Sequence, residues 1–297
     1  MKKIQEAPWM IIFFVMTFLM PACTSEFEGP FPEGEQKPTV NATLAADSLI
    51  QIKLSWPRTP GDTSEFAPVS NAQISLWEND SLLGQASEYT KGIYILEHTI
   101  NPGCSYRMEA NIDKWGIVSA ETFVPLNIKS SVKEKENPQG EIDNKHYLLT
   151  FGKAGKNTSG VWLLATSYTK KGIPVEQSVD IYSNTTLADN FNRAYDATAP
   201  DGYFSLYEFF IRIHPENLQN DSTSVTFNPS GDQEDEFIFI LTAGRDYDKY
   251  FKAIWMEKSE NASDGLNAFF YYPNFPYSNI KNGYGIFAGY NIQRFQF

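Results

Sequence analysis

Ile50-Gln51-Ile52-Lys53-Leu54-Ser55-Trp56 puts an apolar side chain at every second position. Successive side chains of an extended chain point to opposite faces, so this run is a strand with one buried and one wet face. Working outward, similar apolar or β-branched runs fall at 40–44, 72–77, 93–100, 106–112 and 117–124, with turn residues between them. A further run at 82–86 follows Glu78-Asn79-Asp80-Ser81, whose residue types suit a hairpin turn. Short strands at this spacing predict an antiparallel β-sandwich over residues 39–127.

Within it, Asn101-Pro102-Gly103-Cys104-Ser105-Tyr106 resembles the turn before the penultimate strand of immunoglobulin and fibronectin type III-like sandwiches. The resemblance implies that the Tyr106 hydroxyl bonds back to the backbone, a structural role. Cys104 beside the turn has no paired histidine in the sequence and reads as a buried small hydrophobe rather than a nucleophile.

A second, β-rich region is expected over 128–297. The polar stretch 129–144, with Lys133-Glu134-Lys135-Glu136 and Asn137-Pro138-Gln139-Gly140, reads as a boundary or long loop. Strands are expected at 146–151, 161–168, 204–214 and 237–242. Tyr247, Tyr250, Phe251, Ile254, Trp255 and Lys258 fall at helical spacing, which predicts one amphipathic helix with Asp246 as N-cap and Lys258 in the last turn. The tail 269–297 holds eleven aromatic residues broken by Pro273, Pro276, Gly283, Gly285 and Gly289, so loops leading to a last strand near 286–295 are expected.

At the other end, Met1-Lys2-Lys3 precedes an apolar run from Trp9 to Met20, and Leu19-Met20-Pro21-Ala22-Cys23 resembles a bacterial lipobox. The expectation is a signal peptide over 1–22, lipidation of Cys23 and an outer-membrane anchor. A run of twelve residues, eleven of them apolar, is too short for a helix that spans a bilayer core of about 30 Å. Residues 23–38, with Gly29, Pro30, Pro32, Gly34 and Pro38 among Glu26, Glu28, Glu33 and Glu35, read as an extended acidic tether. The chain has 297 residues, 42% of them hydrophobic, and a net charge of −12, which repels a phosphate backbone and excludes a nucleic-acid partner. Of its two cysteines, lipidation of Cys23 leaves only Cys104, so no internal disulfide is expected.

Asn71-Ala72-Gln73-Ile74, Gly92-Ile93-Tyr94, Pro102-Gly103 with Tyr106, and Thr122-Phe123-Val124-Pro125 resemble the first half of a Bacteroidota lipoprotein family catalogued as domain of unknown function 4249. Asp246 to Trp255, and above all Tyr277-Ser278-Asn279-Ile280 with Gly283-Tyr284-Gly285-Ile286-Phe287, resemble its second half. The resemblance implies an outer-membrane lipoprotein beside TonB-dependent receptors, with an accessory part in binding or uptake. It brings no catalytic residues.

The residues themselves give little catalytic chemistry. His98, His146 and His214 stand singly, without metal-ligand spacing, and Walker, nucleophile-elbow and dinucleotide motifs are lacking. No catalytic residue, metal or cofactor is expected. A β-rich glycoside hydrolase needs only two suitably spaced carboxylates and stands as a lesser alternative. Asp232, Glu234, Asp235 and Glu236 read as a solvated loop. Tyr271, Tyr272, Phe275 and Tyr277, beside prolines, are candidates for stacking on a glycan, a small nutrient or a partner, with Tyr284 and Phe287 as core. Asp47-Ser48-Leu49, Asp80-Ser81-Leu82 and Asp221-Ser222-Thr223 resemble O-glycosylation acceptors, at Ser48, Ser81 and Ser222. The function expected is a non-catalytic anchored module, an accessory binding or docking component of a TonB-dependent uptake system, and the alternative is a cell-surface adhesin or structural lipoprotein.

Overall fold

The computed structural model describes residues 36–58, 62–135, 146–168, 176–183, 185–189, 193–194, 205–207, 210–229, 236–261 and 277–297. Cys23, the tether up to residue 35, Tyr271, Tyr272, Phe275 and Asp232 to Asp235 lie outside them.

The alternation read from the sequence is realised in β1 (Thr39–Ala45), β2 (Leu49–Ser55), β3 (Gln73–Glu78), β4 (Ser81–Thr90), β5 (Ile93–Thr99), β6 (Cys104–Ile112) and β7 (Gly116–Val124). In β2 every other residue from Ile50 to Leu54 is buried, and β6 and β7 alternate likewise. The β3–β4 hairpin turns on Asn79 (φ 46°) and Asp80 (φ 67°), a left-handed pair that matches strand twist and that asparagine and aspartate tolerate best. Val40, Ile52, Ile74, Tyr94, Tyr106 and Met108 fill the core between the layers.

The chain continues through β8 (Ser130–Lys135), β9 (His146–Phe151), β10 (Gly160–Tyr168), β11 (Glu176–Val179), β12 (Ile181–Ser183), β13 (Arg193–Ala194), β14 (Ser205–Tyr207), β15 (Phe210–Ile213), β16 (Thr223–Pro229), β17 (Glu236–Ala243), helix α1 (Arg245–Asn261) and β18 (Tyr284–Gln296). Two corrections to the sequence reading follow. Ser130–Lys135, expected as a boundary or long loop, is a strand paired, among the described residues, only with β9, and an outer edge strand tolerates the lysines and glutamate that hid it. The expected strand 204–214 divides, β14 joining a six-stranded sheet and β15 a twelve-stranded one.

The six-stranded sheet runs β13-β14-β12-β16-β9-β8. The other runs β11-β10-β17-β18-β1-β2-β5-β4-β3-β6-β7, with β15 also on β10. A second core, including Tyr147, Phe151, Val161, Ile211, Phe227 and Ile240, lies between them.

β18 belongs to both halves. Its first part pairs in parallel with β1, from Thr39 opposite Tyr284 to Ala45 opposite Tyr290. Its second part pairs antiparallel with β17, from Ala243 opposite Tyr290 to Phe237 opposite Gln296. Tyr290 is the hand-off. The parallel pairing requires glycine near its start: Gly285 has φ 99°, and a Cβ there would stand 1.9 Å from the Val40 carbonyl oxygen. Phe287, from β18, is fully buried in the first core, as the sequence suggested, whereas Tyr284 is exposed.

Candidate functional site

Tyr106 sits where the sequence placed a corner. Its ring is buried, its hydroxyl accepts from the Asn101 backbone N–H at 2.7 Å and donates to Glu78 Oε1 at 2.6 Å. Glu78 also accepts from Asn101 Nδ2 at 2.9 Å. Burial raises the Glu78 carboxyl, but the hydrogen bonds from Tyr106 and Asn101 outweigh it and hold the group below its ordinary value. Burial first, and then the hydrogen bond to Glu78, push the Tyr106 phenol up. Asn79 Nδ2 donates to Cys104 Sγ at 3.2 Å, so the thiol serves the same turn.

The motif from Tyr277 to Phe287 closes the sandwich. The Asn279 amide donates to the Phe287 and Glu121 carbonyls at 2.7 and 3.1 Å and accepts from the Phe287 N–H at 3.0 Å, which ties β18 to β7. Lys281 and Ser119 exchange backbone hydrogen bonds beside it. The Tyr277 hydroxyl donates to Asp246 Oδ1 at 2.7 Å, and Thr122 Oγ1 to Asp246 Oδ2 at 3.3 Å. Burial and the adjoining Asp246 carboxylate push the Tyr277 phenol up to about 12. Half-buried and bonded, Tyr277 braces the start of α1. That helix begins at Arg245, so Asp246 lies inside its first turn and is not the N-cap; the Asp248 N–H bonds to the Gly244 carbonyl at 2.9 Å.

A third joint is one the sequence reading did not find. Arg212, on β15, is 3% exposed and forks onto Asp248 of α1, Nε to Oδ1 at 2.9 Å and Nη2 to Oδ2 at 2.7 Å. Its Nη1 donates to Asp189 at 2.7 Å, where Lys252 also bonds at 3.2 Å, and Trp162 Nε1 donates to Asp248 Oδ1 at 3.0 Å. Burial lowers the guanidinium pKa, but the two aspartates outweigh it and raise it. Room for Asp248 comes from Gly160, where a Cβ would lie 2.0 Å from Oδ1. Tyr247 and Phe251 pack with Trp162, Phe210, Leu241 and Tyr290, the aromatic face predicted for the helix.

Among the described residues no group of three histidine, cysteine or acidic side chains is placed to hold a metal ion. His98 stands 3.6 Å from Glu78, and His214 accepts from the Glu216 N–H at the start of the short 3-10 turn Pro215–Leu218. Ser48, Ser81 and Ser222 are all exposed, and the Ser48 hydroxyl donates to the Ala45 carbonyl at 2.7 Å.

The sandwich end remote from Thr39 carries exposed aliphatic residues: Leu49 at 53%, Leu82 at 63%, Leu126 at 63% and Ile292 at 40%. Backbone bonds Ala46 N to Tyr290 O, Gly103 N to Val124 O and Asn79 N to Ser105 O, with Asn291 Nδ2 to Pro125 O, hold their turns together.

The chain matches no curated protein. Residues 24–296, which take in the Tyr106 corner, the Asn279 clasp and the Arg212 joint, match the family described as Domain of unknown function (DUF4249), and the chain belongs to that family.

Proposed function

We propose that the protein is a non-catalytic lipoprotein, anchored in the outer membrane through Cys23, that docks on a TonB-dependent receptor as an accessory of uptake. The observation that carries this is the exposure of the aliphatic residues Leu49, Leu82, Leu126 and Ile292, because large apolar side chains left in water offer area to a partner. β1 runs from Thr39 to Ala45, so these residues lie at the end of the sandwich opposite Thr39. The perturbed groups Glu78, Tyr106, Arg212 and Tyr277 all bond to other parts of the scaffold, which accords with a bracing role rather than a reaction.

The test is purification of the native protein from detergent-solubilised outer membrane. A co-purifying receptor, lost in the Leu49→Glu/Leu126→Glu variant at unchanged Tm, is expected. Equal recovery with the variant removes the docking surface. Cys23→Ala should move the folded protein to the soluble fraction, since two or three acyl chains anchor firmly and none does not. Under the same reading the exposed Ser48, Ser81 and Ser222 are O-glycan acceptors, and an intact mass without glycan-sized excess rejects them.

A further inference from the structure

At the sandwich end that holds Thr39, a depression of about 440 Å³ is lined by Asn71, Gln73, Asn111, Asp113, Lys114 and Trp115 among others. Its size falls in the range of small-molecule sites, about 300–1,000 Å³. Gln73 and Asn111 are opposite one another across the β3–β6 ladder, both exposed, so their amides stand side by side on one face. Asp113, Lys114 and Trp115 follow from β6 as the turn into β7, with Lys114 held at φ 62°. Trp115 is fixed from behind: its Nε1 donates to the Asn282 carbonyl at 3.1 Å, and its ring meets Trp56 edge-on at 5.9 Å. Among the described residues, the side chains of Gln73, Asn111, Asp113 and Lys114 make no hydrogen bond within the chain, so their donors and acceptors are open to a ligand.

We propose that this depression binds a neutral saccharide. The chemistry selects that class. An anion needs excess positive charge, and here Lys114 is offset by the adjoining Asp113. An apolar ligand needs an apolar lining, which Ile112 and Trp115 alone do not make. Sugar hydroxyls are each donor and acceptor, and they match amides that offer both, a carboxylate that accepts and an ammonium that donates. The C–H face of a pyranose suits an indole ring. Strand pairing and the pinned tryptophan hold these groups in place before binding, which lowers the ordering cost. The proposal rests on the reading of the chain as a non-catalytic binding protein and supplies the ligand class for it.

Saturation-transfer NMR and calorimetry on the full chain in detergent, with chitotriose, maltotriose and mannotriose as probes, test it. At least one probe should bind with Kd near or below about 1 mM. Gln73→Ala/Asn111→Ala, two exposed positions whose loss leaves Tm unchanged, should weaken binding at least about tenfold through the lost hydrogen bonds. No binding of any of the three, or binding that survives the double substitution, overturns the proposal. Receptor capture without saccharide binding sinks this site alone, and saccharide binding without receptor capture sinks the docking reading alone.

Discussion

Replacing Tyr106 by phenylalanine keeps the buried ring and deletes one oxygen, so the loss is confined to two short hydrogen bonds and a long one at 3.4 Å to the Asn101 carbonyl, which adds little. The first leaves the Asn101 N–H without its acceptor, a cost of about 1–1.5 kcal/mol. The second is charge-assisted, a class worth about 1.5–3 kcal/mol, and is discounted because Asn101 Nδ2 still serves Glu78. The sum is about 2–3 kcal/mol, and at about 2–4 °C per kcal/mol for a chain of this size Tm should fall by about 5–10 °C. The pH dependence has a definite sign. The folded Glu78 carboxyl lies below its ordinary value of 4.5, so its contribution is fully present above that pH and is lost as pH falls through the lower folded value. The phenylalanine variant lacks one of the bonds that depress it. The stability gap between wild type and variant should therefore be widest near neutrality and shrink on acidification. Calorimetric scans of both proteins at pH 7 and pH 3 read this out. An unchanged Tm at pH 7 refutes the corner, and a gap that stays constant down to pH 3 refutes the Glu78 part.

Arg212→Met leaves the buried Asp248 carboxylate with only the Trp162 N–H, and should cost about 3–5 kcal/mol in urea unfolding. Adding Asp248→Leu should recover part of that loss, and a single-variant cost under about 1 kcal/mol contradicts the joint. Gly285→Ala meets both a disfavoured φ and the Val40 carbonyl, so a loss of at least about 2 kcal/mol is expected, and a neutral effect would mean that the β1–β18 register is wrong. A fragment spanning 39–127 lacks the Ile280 and Phe287 side chains of the first core and the partner of β1, and should show no cooperative unfolding by circular dichroism. A sharp transition in that fragment defeats the inference.

The strands from β1 to β7 were legible because each has one wet face, and a period of two survives in the letters. β16 was not: Thr223–Pro229 has only Val225 and Phe227 as large apolar residues, and its end is Asn228-Pro229, which reads as a turn. Arg212 was missed for a related reason. Phe210-Ile211-Arg212-Ile213 looks like a strand whose arginine meets water, but all four residues are buried because α1 and the loop bearing Asp189 cover that face. Its partner Asp248 was read only as a first-turn acid complementing the helix dipole, which it also is. The Asn279 clasp was visible as a motif, yet its job was not, since Glu121 and Phe287 come beside it only through tertiary pairing. Tyr106 was placed correctly because its turn is local.

The pairing that no local pattern could reveal is also the one that decides what the molecule presents. β1 lies at the start of the described chain and β18 at its end, and a parallel ladder between them forms only after everything between has been accommodated. Until β18 arrives, β1 has an open edge, Phe287 is missing from the first core, and β17 lacks its neighbour on that side. The clasp through Asn279 and the brace from Tyr277 to Asp246 tie strand, β7 and helix together, and both lie within or just before β18. Ile292 joins the exposed aliphatic end by the same event, beside Asn291, which bonds the Pro125 carbonyl next to Leu126. On the docking reading, the surface offered to a receptor is thus completed by the last strand. A chain truncated before β18 presents instead an unpaired edge and an unfilled core, so it should be taken up by aggregation or proteolysis before it meets a partner.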